Sequence, residues 1–144
     1  MPMSSFPFAA APLLILLAGN GAGSDLELSI EALRSGRGDL HVCITREPAH
    51  FPDCGSDPRA VSRTVPATVS VIRFKSLAPG AYAVAILHDE NRNKRLDTVL
   101  GIPREGFGFS RNPVVRFGAP KFRQVRIDLG PGFTSQRVRM QYLL

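Results

Sequence analysis

The sequence lacks the short motifs that mark the common classes of enzyme. It contains no G-x-S-x-G nucleophile turn, no H-E-x-x-H zinc motif and no glycine-rich phosphate loop. His88, Asp89 and Glu105 offer an acid and a base, but no second motif supports them. The absence of tryptophan also counts against an aromatic platform for sugars. We therefore predict a protein that is not an enzyme, with a small hydrolase as the least favoured alternative.

The first 23 residues lack charged side chains and histidine altogether. An apolar run at Phe6–Ala18 is followed by small residues, which is the layout of a secretory signal peptide. The run is shorter than the roughly 20 residues that a membrane-spanning helix needs, and Pro7 and Pro12 interrupt it. We predict a signal peptide at 1–23 and a single domain at 24–144, periplasmic or secreted. No later apolar run approaches spanning length, so we predict no transmembrane segment in the mature chain.

Basic residues are numerous, but they form no dense cluster. Lys and Arg number 18 against 12 Asp and Glu, which gives a formal net charge of +6. They are scattered from Arg34 to Arg139, without the run of about four to eight that marks a lipid or nucleic-acid patch. We therefore predict no nucleic-acid partner. A structural, basic envelope protein that associates with anionic surface polymers is the alternative function that this charge suggests.

Cysteine is scarce, and the two that are present, Cys43 and Cys54, flank a segment with two prolines. In an exported chain a small, even number of cysteines favours a disulfide, and this segment is typical of a loop whose ends can meet. The alternative is a zinc site, because His41 and His50 lie near the cysteines in an H-x-C…H-x-x-x-C pattern. An oxidising compartment works against free thiolates, so we favour the disulfide.

No stretch of useful length has helical periodicity, whereas the alternation typical of strands recurs along the chain. With its turns rich in glycine and proline, this pattern predicts an all-β protein, an antiparallel β-sandwich of about seven short strands. We expect a hairpin between the first two strands, a short helix at 58–63 and a central strand at 81–88, which is apolar on both faces. The predicted strands cover residues 26–33, 39–45, 67–74, 81–88, 121–129 and 133–144.

The most informative motif reads D-x-N-x-N-x-x-x-D and directly follows the predicted central strand. Oxygen-bearing side chains at alternate positions can surround calcium, which takes about six to eight oxygen ligands. Lys94 stands where an EF-hand loop has glycine, and Leu100 where it has glutamate, so any calcium binding is expected to be weak. The alternative is an Asx-rich turn without an ion. The predicted ligands are the side chains of Asp89, Asn91, Asn93 and Asp97 and the carbonyl of Arg95.

A second segment, Gly101–Ser110, alternates glycine with phenylalanine. Its rings and charges suggest a contact loop for a sugar or a peptide. The alternative, which we favour, is that the rings fold back over an open end of the sandwich, because exposed phenylalanine clusters are uncommon on monomers. The candidate contact residues are Arg104, Glu105, Phe107 and Phe109.

Three motifs in the second half of the chain occur in the same order in one bacterial family. They are L-x-P-G-x-Y-A at 77–83, H-D-x-N-x-N-x-x-L-D at 88–97 and G-x-P-x-E-G-F-G-F-S at 101–110. The chain resembles the family labelled domain of unknown function 2141 over essentially the whole mature region. This resemblance implies an immunoglobulin-like or transthyretin-like β-sandwich and no established activity. Lys94 departs from the glycine that is common in the family's loop.

Taken together, these patterns predict an exported, non-catalytic binding or accessory module. The loop at 89–97, with or without calcium, is expected to order the segment at 101–110 as a contact surface. Envelope polysaccharide or protein is the class of partner that this interpretation suggests.

Overall fold

The computed structural model describes residues 22–144, whose regular structure is nearly all β-strand. The predicted signal peptide lies outside the described residues, apart from its last two positions. Within the described part, no helix is long and apolar enough to cross a membrane. A 3-10 turn occupies Cys54–Ser56, and helix α1 occupies Phe122–Val125. The strands are β1 (Ser24–Glu31), β2 (Asp39–Thr45), β3 (Val61–Pro66), β4 (Val71–Leu77), β5 (Gly80–Asp89), β6 (Thr98–Val99), β7 (Ile102–Pro103), β8 (Gly106–Phe109), β9 (Ile127–Leu129) and β10 (Gly132–Arg139).

Two sheets enclose one apolar core, which confirms the predicted all-β sandwich. The first sheet has the order β10-β1-β4, with β1 antiparallel to β4 and parallel to β10. The second has the antiparallel order β3-β2-β5-β8, and β9 pairs with the first residues of β5. Strands β6 and β7 form a separate hairpin. β5 therefore has neighbours along both edges, so the prediction of a central strand is confirmed.

The core is built from side chains at every second strand position. Leu26 and Leu28 of β1 are 1% and 0% exposed, and Leu40 and Val42 of β2 are 0% and 2% exposed. These residues belong to one cluster that also includes side chains of β4, β5 and β10. Burying each such side chain stabilises the fold by about 1.5–3 kcal/mol. The two sheets are therefore held together mainly by the burial of the apolar faces that they turn toward each other.

The prediction that β1 and β2 form a hairpin is wrong, because they lie in different sheets. Each strand has one apolar face, and placing the strands in opposite layers lets these faces bury each other. The chain crosses between the layers at 32–38, where Ala32 and Gly38 have φ angles of 60° and 74°. A Cβ atom at Gly38 would collide with the carbonyl oxygen of Asp89, so this close crossing requires glycine.

The predicted helix at 58–63 is also wrong. The one helical turn of this region comes earlier, at Cys54–Ser56, and β3 already begins at Val61. The Asp53 side chain accepts a hydrogen bond from the amide of Gly55 at 2.8 Å and thereby caps the earlier turn. The signal that Asp57 and Pro58 give for a helix start is thus outweighed by the pairing of β3 with β2.

Several predicted strands have different boundaries in the structure, and those at 26–33 and 133–144 correspond to Ser24–Glu31 and Gly132–Arg139. The strand at 67–74 begins only at Val71, because a turn closed by a 3.0 Å bond from the Val69 amide to the Pro66 carbonyl precedes it. The strand at 121–129 begins as helix α1, and only its last three residues form β9. The Gln124 side chain accepts a hydrogen bond from the Lys121 amide at 2.7 Å, which stabilises the first turn of this helix.

Cys43 and Cys54 form the predicted disulfide, with Cα atoms 5.6 Å apart. The bond ties β2 to the 3-10 turn. It also removes the alternative zinc site, since disulfide sulfurs are no longer the thiolates that bind metal. His41, another residue of that alternative site, instead lies with Nε2 3.0 Å from Oδ2 of Asp89.

Candidate functional site

The outer face of the second sheet forms the floor of an apolar groove with a volume of about 960 Å³. Successive residues of a strand point to opposite faces, so the residues between the core positions of β2, β5 and β8 point into this groove. We call it the outer groove. Its floor is formed by His41, Cys43, Ala85, Leu87, Phe107 and Phe109.

The walls of the outer groove are apolar side chains that remain open to solvent. One wall is the β6–β7 hairpin with the residues before it, where Leu96 is 51% and Ile102 is 42% exposed. The other wall is the segment 115–119, in which Phe117 is 96% exposed. Exposed apolar side chains grouped around a concave surface are typical of ligand sites and partner sites.

Glycine and phenylalanine alternate in β8 because its two faces meet different neighbours. Gly108 faces inward, where a Cβ atom would stand 2.8 Å from Sδ of Met140. Phe107 and Phe109 face outward but are only 8% and 6% exposed, and the ring of Phe51 lies 5.9 Å from that of Phe109. These rings therefore form a packed floor on the outer face of the second sheet, and they do not fold back over an open end of the sandwich as we expected from the sequence.

The other two residues of the predicted contact loop, Arg104 and Glu105, are not among the residues that line the outer groove. They line a separate polar cavity of about 260 Å³, next to the loop at 89–97. The structure thus divides the predicted contact loop between two sites. Phe107 and Phe109 belong to the groove, whereas Arg104 and Glu105 belong to the polar cavity.

The loop at 89–97, which we call the Asx loop, is held by hydrogen bonds from side chains to its own backbone. The Asp89 carboxylate accepts from the amides of Asn93, at 3.2 Å, and Lys94, at 2.8 Å. The side-chain oxygens of Asn91 and Asn93 each accept from the amide two residues further on. These bonds are the Asx turns that were the alternative to an ion site.

Asp97 closes the Asx loop from its far end. The amide nitrogens of the Asn91 and Asn93 side chains donate to its carboxylate at 2.7 Å and 2.8 Å, and these bonds lower the pKa of Asp97. Burial by itself would raise the pKa of Asp89, but hydrogen bonds from His41 and from the loop amides outweigh it and lower this pKa. Both carboxyl groups are therefore ionised at neutral pH.

Glu105 lies just before β8, faces the Asx loop and is only 4% exposed. Its Oε2 accepts a hydrogen bond from the Asp97 amide at 3.3 Å, whereas no donor among residues 22–144 bonds to its Oε1. Burial, and then the negative charges of Asp89 and Asp97, raise the pKa of Glu105 to about 7. We refer to Asp89, Asp97 and Glu105 as the carboxylate cluster.

Sequence reasoning assigned Glu105 to the contact loop and missed its place beside the Asx loop. Glu105 follows Asp97 by eight residues, and only the β6–β7 hairpin turns the chain back so that the two meet. A bond of 2.9 Å from the Arg104 amide to the Asp97 carbonyl closes this return. The sequence did contain one indication of this contact. Glu105 closely follows a segment that is short enough to form a hairpin, and such a hairpin would bring it back to Asp97.

His88, which a hydrolase would use as a base, is fully buried and bonded at both ring nitrogens. Nδ1 lies 2.8 Å from the Tyr142 hydroxyl, and Nε2 lies 2.8 Å from the Arg37 carbonyl oxygen. The neighbouring Glu90 forms an ion pair of 2.6 Å with Arg34. His88 and Glu90 thus anchor the crossing segment to the end of β5.

The fold and these two sites define a small all-β sandwich protein with an apolar groove on one sheet and an acidic loop at the end of its central strand. The chain belongs to the family described as an uncharacterized protein conserved in bacteria (DUF2141), which it matches over residues 28–137. This match confirms the resemblance seen in the sequence motifs. No curated protein and no solved structure shows a significant match to the chain.

Proposed function

We propose that the protein is an exported, non-catalytic binding module whose outer groove takes an acyl chain that ends in an anionic group. The observation that carries this proposal is the line of solvent-open apolar side chains around a packed apolar floor. The groove volume of about 960 Å³ lies within the range of about 300–1,000 Å³ that is common for small-molecule sites. Covering the exposed Leu96, Ile102 and Phe117 would supply the hydrophobic part of the binding energy.

The charge of the protein supports a negative end group on the ligand. The chain carries a formal net charge of +6, and Arg116 lies in the wall of the outer groove. A carboxylate or phosphate at one end of an acyl chain would pair with this guanidinium, while its hydrocarbon lies along the floor. Asp53 is the single carboxylate among the described residues that line the groove.

The placement of the ionisable groups supports binding rather than catalysis. The residues that a hydrolase would use, His88, Asp89 and Glu105, are not part of the lining of the outer groove. His88 in particular is committed to two structural hydrogen bonds. A ligand in the groove would therefore lie away from the buried acid and base groups.

The test is a fluorescence titration with dansyl-labelled undecanoic acid, followed by displacement with oleate. Phe117→Ser removes a wall side chain that is 96% exposed, so it should leave the fold intact and weaken probe binding about tenfold, the equivalent of roughly 1.4 kcal/mol. Leu100→Ser is the matched control, because Leu100 is 98% exposed but does not line the groove. This control should bind the probe like the unmodified protein.

Equal affinity in the two variants would contradict a site in the outer groove. An absence of probe binding in the unmodified protein would contradict an acyl ligand. Retention on an anionic polysaccharide resin that is lost with salt, and is unchanged by Phe117→Ser, would instead support the envelope-polymer alternative.

A further inference from the structure

Three exposed apolar side chains stand beside the outer groove but do not line it. They are Val99 and Leu100 of the β6–β7 hairpin, which are 43% and 98% exposed, and Val114, which is 79% exposed. Val99 and Leu100 belong to one wall of the groove, and Val114 directly precedes the other wall. The apolar surface therefore continues beyond the groove, and an acyl chain on the floor would leave these three side chains in water. Exposed apolar groups gathered on one face mark a surface that meets a partner.

Neither burial nor turn geometry explains a leucine at the tip of the β6–β7 hairpin. Val99 pairs with Ile102, so the turn between them has two residues, Leu100 and Gly101, with φ angles of 51° and 78°. A two-residue turn with positive φ at both positions is usually Asn-Gly, because most other side chains adopt this conformation only with strain. Leu100 therefore destabilises the free protein both through its backbone and through its exposure to water. A partner that covers its side chain removes the second of these effects.

The positive charge of the protein is concentrated in the two walls and the residues next to them. The segments 92–104 and 111–123 together carry eight basic side chains and one acidic side chain, Asp97. The rest of the chain has ten basic and eleven acidic side chains, so the formal net charge of +6 arises from these two segments. All eight basic side chains are exposed, and among residues 22–144 only one of the eight, Arg92, has a salt-bridge partner. The sequence has no dense basic run, but the fold places the two segments on either side of one groove.

We propose that this face of the protein docks on the surface of a membrane that contains anionic phospholipids. Leu100 and Val114 enter the boundary between the headgroups and the acyl chains, while the basic side chains around them lie at the level of the lipid phosphates. Because the two walls border the outer groove, the groove then opens toward the bilayer. This inference goes beyond the proposed acyl site and does not depend on it.

The combination of positive charge and apolar tips favours a lipid surface over other occupants of this face. A second copy of the chain would bring two positively charged faces together, and these would repel each other. An anionic polymer would pair with the basic side chains but would leave Leu100 and Val114 exposed to water. A bilayer surface supplies both the negative headgroups and an apolar layer behind them.

The experiment is co-sedimentation of the purified protein with vesicles of phosphatidylcholine, prepared with and without an equal share of phosphatidylglycerol. We expect binding to the mixed vesicles that falls as the salt concentration rises, and at least about tenfold weaker binding to phosphatidylcholine alone. Leu100→Asn should weaken binding to the mixed vesicles about tenfold, because it removes an inserted apolar side chain. This variant should fold at least as well as the unmodified protein, since Asn-Gly suits the turn. The control is Phe133→Ser, which removes a 67% exposed ring from β10 in the other sheet and should leave vesicle binding unchanged.

A second pair of variants tests the contribution of charge. Arg95→Gln should weaken binding to the mixed vesicles about fivefold. Lys75→Gln removes an equal charge from an exposed position on β4 in the other sheet, so it should have a much smaller effect. Leu100→Asn should also bind dansyl-labelled undecanoic acid with unchanged affinity, because Leu100 does not line the outer groove. Failure of the membrane surface and failure of the acyl site are thus seen in different measurements.

Four results would overturn the proposal. Two of them are equal sedimentation of the unmodified protein with both kinds of vesicle and unchanged vesicle binding by Leu100→Asn. The third is salt-sensitive retention on an anionic polysaccharide resin without binding to vesicles, which would assign the basic face to an envelope polymer. The fourth is a dimer in analytical ultracentrifugation that Leu100→Asn dissociates, which would assign the face to a second copy of the chain.

Discussion

At the scale of single residues, one buried serine connects two parts of the fold that are far apart in sequence. Ser110 is 0% exposed, and its hydroxyl accepts a hydrogen bond from the Val84 amide at 3.0 Å and donates one to the Val125 carbonyl. It thereby joins the middle of β5 to the end of helix α1. Neither partner can turn to solvent, because Val84 and Val125 are themselves fully buried.

Ser110→Ala is expected to destabilise the protein by about 2 kcal/mol or more, since it leaves a buried amide and a buried carbonyl without this partner. The measurement is the free energy of unfolding in urea. Ser135→Ala is the control, because Ser135 lies exposed on β10 and should change the stability by less than about 0.5 kcal/mol. Equal losses in the two variants would show that the bridge through Ser110 contributes nothing specific.

At the scale of secondary-structure elements, β8 joins the two sheets at one corner of the sandwich. It pairs with β5 in the second sheet, and Phe107 also exchanges backbone hydrogen bonds of 3.0 Å and 2.7 Å with Gln141, just beyond β10 of the first sheet. The inward face of β8 carries only glycine, so the side chains of Val138 and Met140 can approach its backbone closely. The alternation of glycine and phenylalanine thus allows β8 to pack closely against Val138 and Met140 at this corner.

Gly108→Ala is expected to destabilise the fold by about 1–3 kcal/mol, because the added methyl group would overpack the corner. Its Cβ would lie 2.8 Å from both Met140 Sδ and Val138 Cγ1. Thermal unfolding measures the loss. Gly36→Ala serves for comparison, since its Cβ would meet only a Thr68 methyl group, at an ordinary 3.5 Å, and should be tolerated. If Gly108→Ala melts like Gly36→Ala, the close approach of β10 does not constrain β8.

At the scale of the whole molecule, the disulfide bears on the compartment in which the protein folds. The bond between Cys43 and Cys54 is of the kind that persists in oxidising compartments, in keeping with the predicted export. Closing a loop of this size stabilises a folded protein by roughly 3 kcal/mol in the chain-entropy account.

Export predicts that the mature protein begins near Ser24. The uncharged, apolar stretch before this residue is expected to be removed when the chain crosses the membrane. Amino-terminal sequencing of protein recovered from the periplasm or the medium of a bacterial host provides the measurement. Recovery of an intact Met1 from the cytosolic fraction would contradict the prediction.

The candidate sites were predictable only where their residues are close in sequence. The Asx turns of the 89–97 loop follow from the spacing of Asp and Asn, because each bond spans two to five residues. The cysteines were paired correctly because a proline-containing loop separates them. The place of Glu105 beside the Asx loop was not predicted. The outer groove was not predicted either, because the floor of this groove combines alternate residues of three strands that are distant in sequence.

The sequence by itself determined the all-β class, the central strand, the disulfide and the family, because strand periodicity and loop motifs act over a few residues. Only the tertiary structure decided which strands pair. β1 and β2 have the pattern of a hairpin, yet they lie in opposite layers because their apolar faces are best buried against each other. This arrangement of the strands also places β10 beside β1 and β8. The glycines of β8 then face inward and its rings face outward, where they help to form the outer groove.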